Sequence, residues 1–135
     1  MSRYLLDTNT VSYFIKGFDP ALVEKVTQTL IAQTALISVI TRAELRYGQA
    51  GMVAADKRKR AVDLLLTQVT VLPWTSPAAD IYGTLKNKLK RDGTPIGELD
   101  TQIAAHALAE NLILVTHNTK HFDKVPGLKL EDWMA

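Results

Sequence analysis

Three acidic side chains stand where the sequence pattern calls for apolar ones. Asp7 directly follows the apolar run Tyr4-Leu5-Leu6, so it falls at the carboxyl end of a first strand. There it can cap the following helix, a role Asp fills well, or face a cleft. Asp100 heads a stripe made by Ile103, Ala104, Ala107 and Leu108 at i+3, i+4, i+7 and i+8, the spacing of a core-facing helix face. An unpaired carboxylate on such a stripe costs several kcal/mol, so it requires a cation, several donors or the rim of a cleft. Its position in the first helical turn is worth only about 0.3–1 kcal/mol. Glu44 falls on one predicted face with Ile40 and Tyr47, away from Arg42 and Arg46. It reads equally as a surface acid between two arginines. Glu98 and Glu110, off the stripe, read as solvated charge.

All three acids follow elements expected to end at one edge of a sheet, so residues 7, 44 and 100 are predicted to meet. Three carboxylates brought together raise one another's pKa unless a cation is present. Oxygen donors in a chain without a single Cys select a hard ion, Mg²⁺ or Mn²⁺, over zinc. Such a site suits phosphoester hydrolysis, because the ion orients a phosphate, acidifies a water and stabilises the departing oxygen.

The elements that would position these groups alternate between short β-rich runs and longer amphipathic segments, the pattern of an α/β domain with a mostly parallel sheet. Strands are predicted at 3–6, 35–39, 69–72 and 112–115, with a short fifth in Leu128-Lys129-Leu130-Glu131-Asp132. Helices are predicted from the polar turn after Asp7 to Lys16, where Gly17 ends the first. The second runs from Pro20 towards Gln33, behind an Asp19 cap. Further helices follow over the Ile40–Gln49 stretch, 56–68, Ser76 to Asp92, and from beyond Gly97 to about Asn111. Groups at the carboxyl ends of such strands share one crevice.

The 135 residues, 47% hydrophobic and 22% charged, suit one globular domain spanning 1–135 and exclude a disordered regulator. The absence of Cys removes disulfide scaffolds, thiol nucleophiles and zinc ribbons. The apolar runs are too short for a signal peptide or a membrane span, so a cytoplasmic location is expected. A net charge of +2 does not by itself indicate a polyanionic partner.

Basic residues are instead judged by position. Arg42, Arg46 and Lys120, close to the acidic motifs, are the first candidates for phosphate contact. Lys86 and Lys90 on one helix face join them, although a solvated surface is the default explanation for these two and for the Arg58-Lys59-Arg60 run. His117 and His121 have the i, i+4 spacing of a zinc pair but no third nitrogen or sulfur ligand nearby in sequence. His106, Trp74 and Trp133 read as structural.

The segments YLLDTNT, SVITRAE (Ser38 to Glu44), IGELDTQIAAHAL, LVTHNTKHF and VPGLKLEDW, in this order and across nearly the whole chain, resemble the PIN-domain ribonucleases, and most closely the VapC toxins of bacterial toxin–antitoxin pairs. The resemblance implies a three-layer α/β/α fold around a parallel sheet and an endoribonuclease dependent on Mg²⁺, with Mn²⁺ as a substitute. It places Asp7, Glu44 and Asp100 on the family's catalytic and metal-binding acids. The fourth acid of many relatives, in a Thr-x-Asp segment, corresponds here to Thr116-His117-Asn118. Asn118 carries no charge, which puts a second ion in doubt, and Asp123 substitutes only if its loop folds back. Thr116, Asn118 and Asn9 are assigned to orienting the ligands or water.

The DTNT start and the VPGL-x-x-EDW ending look like the enterobacterial type. This implies initiator tRNA as substrate, cut in the anticodon loop. It also implies a VapB-type antitoxin whose C-terminal segment covers the cleft, a toxin homodimer, and a larger complex able to bind operator DNA. Two other functions compete. One is an aspartyl-phosphate phosphatase using Asp7, although Asn9 stands where its second Asp belongs. The other is a non-catalytic RNA-binding partner.

Overall fold

β1 (Tyr4–Leu6) lies in the middle of a five-stranded, wholly parallel sheet, with β2 (Ala35–Ser38) and then β3 (Thr70–Leu72) on one side and β4 (Ile113–Val115) and then β5 (Leu130–Glu131) on the other. The computed structural model describes residues 2–135. From β1 the chain passes through α1 (Thr8–Lys16) and α2 (Pro20–Ile31) to β2 (Ala35–Ser38). It continues through α3 (Val39–Ala50) and α4 (Lys57–Gln68) to β3 (Thr70–Leu72) at one edge. The long α5 (Ser76–Arg91) and α6 (Glu98–Ala109) then carry it back across the sheet to β4 (Ile113–Val115), on the other side of β1. A one-turn α7 (Thr119–Phe122) leads to β5 (Leu130–Glu131).

Because the chain winds outward from β1 in one direction and later in the other, β1 and β4 flank the point where the connections diverge. The carboxyl ends of the strands open a crevice there. Asp7 and Thr116 are the residues that directly follow these two strands.

Side chains alternate across the sheet, which decides the two cores. Leu5, Leu36 and Leu114 point to one face, against Leu85, Leu89, Ile103, Ala104 and Phe122. Leu6, Ile37 and Val115 point to the other, against Val11, Leu22, Val26, Leu45, Leu65 and Trp133. Helices thus cover both faces, as a parallel sheet requires, and the layering is the α/β/α order that the family resemblance implied. Among the described residues no helix is long and apolar enough to cross a membrane.

Most element ends lie within one or two residues of expectation, and the differences have local causes. α2 stops at Ile31 because Gln33 turns into the left-handed region (φ 60°) and Thr34 N–H closes the turn on the Thr29 carbonyl. α5 starts at Ser76 as expected, capped by the Thr75 hydroxyl, which accepts from the Ala78 N–H at 3.3 Å. α7 was not predicted, being a single turn too short to show periodicity.

Candidate active site

The sheet's carboxyl edge holds a cleft of about 490 Å³ whose lining includes Asp7, Thr8, Asn9, Glu44, Asp100 and Asn118. Asp7, Glu44 and Asp100, from distant stretches of sequence, therefore open onto one space, and Glu98, read from the sequence as solvated charge, lines it as a fourth acid. Among the described residues no Lys or Arg side chain lines it.

Asp7 is 4% exposed. Its Oδ1 accepts the Thr10 N–H at 2.8 Å, so the residue caps α1 and faces the cleft at once, and the two readings of the sequence are not alternatives. Thr10 in turn donates its hydroxyl to the Val115 carbonyl at 3.1 Å, tying the start of α1 to β4. Burial pushes the Asp7 carboxyl above its ordinary value of 3.8. Hydrogen bonds from Thr116 and Thr10 oppose that rise, and the charge of nearby Asp100 adds to it.

Glu44 reaches the cleft for a different reason from the one its spacing suggested. Tyr47, expected on the same inward stripe, is 85% exposed, and the face of α3 that packs inward is Thr41, Leu45 and Gln49. Glu44 sits on the boundary of that face, where Thr8 finds it. The Thr8 hydroxyl donates to Glu44 Oε1 at 2.6 Å and lies 3.1 Å from the Thr41 hydroxyl. Thr8 has one hydroxyl proton, so Thr41 donates to Thr8 in return.

Asp100 occupies the rim, its side chain 42% exposed. The stripe behind it is buried as expected, with Ile103, Ala104 and Ala107 fully enclosed. Gly97 starts α6 at φ 96°, a conformation that L side chains rarely adopt, and this turn delivers Asp100 to the cleft one helical turn later. His121 Nε2 lies 3.0 Å from Asp100 Oδ2 and 2.7 Å from the Ile96 carbonyl.

Of the residues assigned to orientation, Asn9 and Asn118 line the cleft. Thr116 is buried behind them, its hydroxyl accepting from the Asn118 N–H at 3.0 Å while acting on Asp7. Asp123 follows α7 in an exposed position and is not part of the cleft lining.

The basic candidates stand around the cleft rather than in it. Arg46 is engaged by Asp63 and Gln49, both at 2.7 Å, which holds its guanidinium against α4. Lys86 pairs with Glu98 at 2.9 Å on the cleft margin, and Tyr82 also donates to Glu98. Lys90 borders a small groove that shares Ile96, Gly97 and Glu98 with the cleft. Arg42 is half-buried on α3 and Lys120 is exposed on α7.

His117 and His121 do not form a pair. His117 Nδ1 meets Asp132 at 3.0 Å, whereas His121 turns to Asp100. His106 is fully buried, its Nδ1 2.8 Å from the Ser38 hydroxyl, which itself caps α3. Trp74 packs edge-on against His106, and Trp133 against Tyr4.

Sequence reasoning missed Thr8 and His121. Thr8 lies inside the DTNT motif, the one available signal. His121 carried only the misleading spacing to His117.

The donor set fits a hard divalent cation: carboxylate oxygens with amide and hydroxyl groups beside them, and an Asp7 whose ionised form lacks a cationic partner in the cleft. Among the described residues no three His, Cys, Asp or Glu groups are gathered to hold an ion together, and Thr8 engages Glu44.

A family model described as "PIN domain" matches residues 4–128. The relatives narrow this further. Ribonuclease VapC1 of Haemophilus influenzae is 39% identical over 130 residues, covering 96% of this chain and 97% of that protein. The tRNA(fMet)-specific endonuclease VapC of Salmonella typhimurium is 35% identical over 133 residues, covering 98% and 99%. In the crystal structure of DNA-bound VapBC from Salmonella typhimurium, one chain superposes with a TM-score of 0.89 at 34% identity, over 98% of this chain and 99% of that one. The chain belongs to the PIN-domain family and, within it, to the VapC ribonucleases.

Proposed function

We propose that the cleft cuts initiator tRNA in its anticodon loop, with Mg²⁺, or Mn²⁺ in its place, held by Asp7 and Asp100. The observation that carries this reading is the opening of Asp7, Glu44 and Asp100 onto one cleft free of cationic side chains. When bound, the divalent ion neutralises the paired carboxylates, draws in a phosphate and makes a water nucleophilic.

The chain's own groups do the positioning. Thr10 and Thr116 hold the Asp7 carboxylate from behind, so its free edge faces the cleft. Thr8 fixes Glu44 through Oε1 and leaves Oε2 to accept the proton of the attacking water. Asn9 and Asn118 offer amide N–H groups to phosphate oxygens without adding charge. Leu99, 45% exposed, gives the cleft an apolar edge that suits a splayed base, in keeping with recognition of single-stranded loops. Arg42, Lys90 and Lys120 supply longer-range attraction to the RNA backbone.

The same reading includes a cytoplasmic toxin whose residues 1–135 act as one PIN unit and form a homodimer. A VapB-type antitoxin covers the cleft with its C-terminal segment, and the complex binds operator DNA. The VapBC assemblies among the similar structures, two of them bound to DNA, support the antitoxin partner and the DNA-binding complex.

The test is incubation of the purified protein with initiator and elongator tRNA transcripts, with Mg²⁺ or EDTA, beside Asp7→Asn and Asp100→Asn. A single cut in the initiator anticodon loop, lost with EDTA and in both variants, is expected. Cleavage that survives chelation and both substitutions would sink the proposal.

A further inference from the structure

We propose that His121 is a positioning residue for Asp100, fixing that carboxylate for divalent-ion binding through one shared N–H donor. The inference rests on the reading of Asp7 and Asp100 as the ion's ligands and deepens it.

Two features of the geometry carry it. First, His121 Nε2 approaches two oxygens, Asp100 Oδ2 at 3.0 Å and the Ile96 carbonyl at 2.7 Å. A carbonyl can only accept, so Nε2 bears the hydrogen, and the ring is in the Nε2–H tautomer or fully protonated; in either form it donates to both oxygens. Asp100, 42% exposed and on a flexible-ended side chain, thereby loses rotamer freedom, and its Oδ1 is left for the cleft. Second, the imidazole is itself anchored. The next residue, Phe122, is 1% exposed in the core, and its ring meets the imidazole edge-on at 5.3 Å. The Ile96 carbonyl belongs to the turn just before Gly97, where α6 begins. The donor thus joins α7 to the first turn of α6 at the point where Asp100 emerges.

This is the arrangement in which an outer hydrogen bond sets the orientation of a ligand, and loss of such a partner lowers metal affinity by about 10–100-fold. It differs from the zinc pair that the spacing of His117 and His121 suggested, because His121 contacts a ligand and is not one.

The experiment is Mn²⁺ titration of the purified full chain by calorimetry, without RNA, on wild type, His121→Phe, His121→Gln and Asp100→Asn. Phe keeps a ring against Phe122 and removes the donor; Gln restores an N–H. Mn²⁺ binding weakened by about tenfold in His121→Phe, and recovered to within about threefold in His121→Gln, is expected. Wild-type Mn²⁺ affinity in His121→Phe, with loss in Asp100→Asn, overturns the positioning role and leaves the carboxylate site standing. Unchanged affinity in both overturns the site reading and this inference with it. A measurement on the metal-free wild type needs no variant to fold: ¹⁵N-histidine NMR is expected to show a proton on His121 Nε2, and the Nδ1–H tautomer would overturn the proposal.

Discussion

The two walls of the cleft hold the same kind of group in opposite ways. On the β1 side, Asp7 is buried, caps a helix and is backed by Thr10 and Thr116. On the α6 side, Asp100 is nearly half exposed, follows a glycine turn, and is held by a single imidazole. Burial makes the first carboxylate costly to ionise and geometrically fixed; exposure leaves the second open to water and free to move unless something restrains it. A site that must bind a hard cation draws on both, since one wall supplies electrostatic demand and the other supplies access.

The contrast predicts a graded set of losses. Asp7→Asn keeps the helix cap, because Asn caps as well as Asp, yet removes the charge. Cleavage of tRNA under saturating Mg²⁺ is expected to fall by about 10³-fold, at the upper end for removal of one electrostatic contact in a reacting site. Retention of more than a tenth of wild-type activity would mean that the buried wall is structural only.

Thr116→Val preserves shape and deletes one of the donors that pulls the Asp7 pKa down. Asp7 then rises further, and protons compete with Mg²⁺ up to higher pH. The acid limb of the pH–rate profile should move upward, with activity on that limb below wild type and recovering as pH rises. The equivalent loss on the other wall, His121→Phe, should weaken metal binding at every pH.

Stability without metal should show the reverse order. The folded pKa of Asp7 lies above its ordinary 3.8, so its ionisation opposes folding. Below 3.8 both folded and unfolded chains hold the proton and Asp7→Asn changes nothing. As pH rises through the folded value the wild type loses stability that the variant keeps. Thermal melts in EDTA should therefore give Asp7→Asn a midpoint several degrees higher at pH 7.5, converging with wild type below pH 4. Asp100→Asn should show a smaller change, since its carboxylate is already in contact with water.

The smallest effect is expected at the margin. Lys86→Met breaks an exposed ion pair with Glu98, of a kind that contributes little to stability. The midpoint should stay within about one degree. A large drop would show that the α5–α6 side is more tightly built than its exposure suggests.

Much of the fold was legible in the chain. Apolar runs marked the strands, and Gly17 and Asp19-Pro20 fell at helix ends as their conformational preferences dictate. Asp7 was legible because an apolar run stops on it. Glu44 was found by a stripe that does not exist: Tyr47 points to solvent, and Thr41, Leu45 and Gln49 form the buried face. Polar residues can fill an inward face when partners are waiting, as Gln49 does with Asp63 and the Lys59 carbonyl, so hydrophobicity alone misplaced it. Thr8 and His121 were not legible, because their partners lie 36 and 21 residues away.

The sequence by itself determined the order of the strands and the six longer helices, the mostly parallel sheet and the acids at strand and helix ends, because these follow from local periodicity and from capping chemistry; helices on both faces came from the family resemblance. Tertiary structure alone decided which donor reaches which acid. Hydrogen bonds between residues remote in the chain depend on strand order and helix placement, and those are fixed only when both cores close around the sheet.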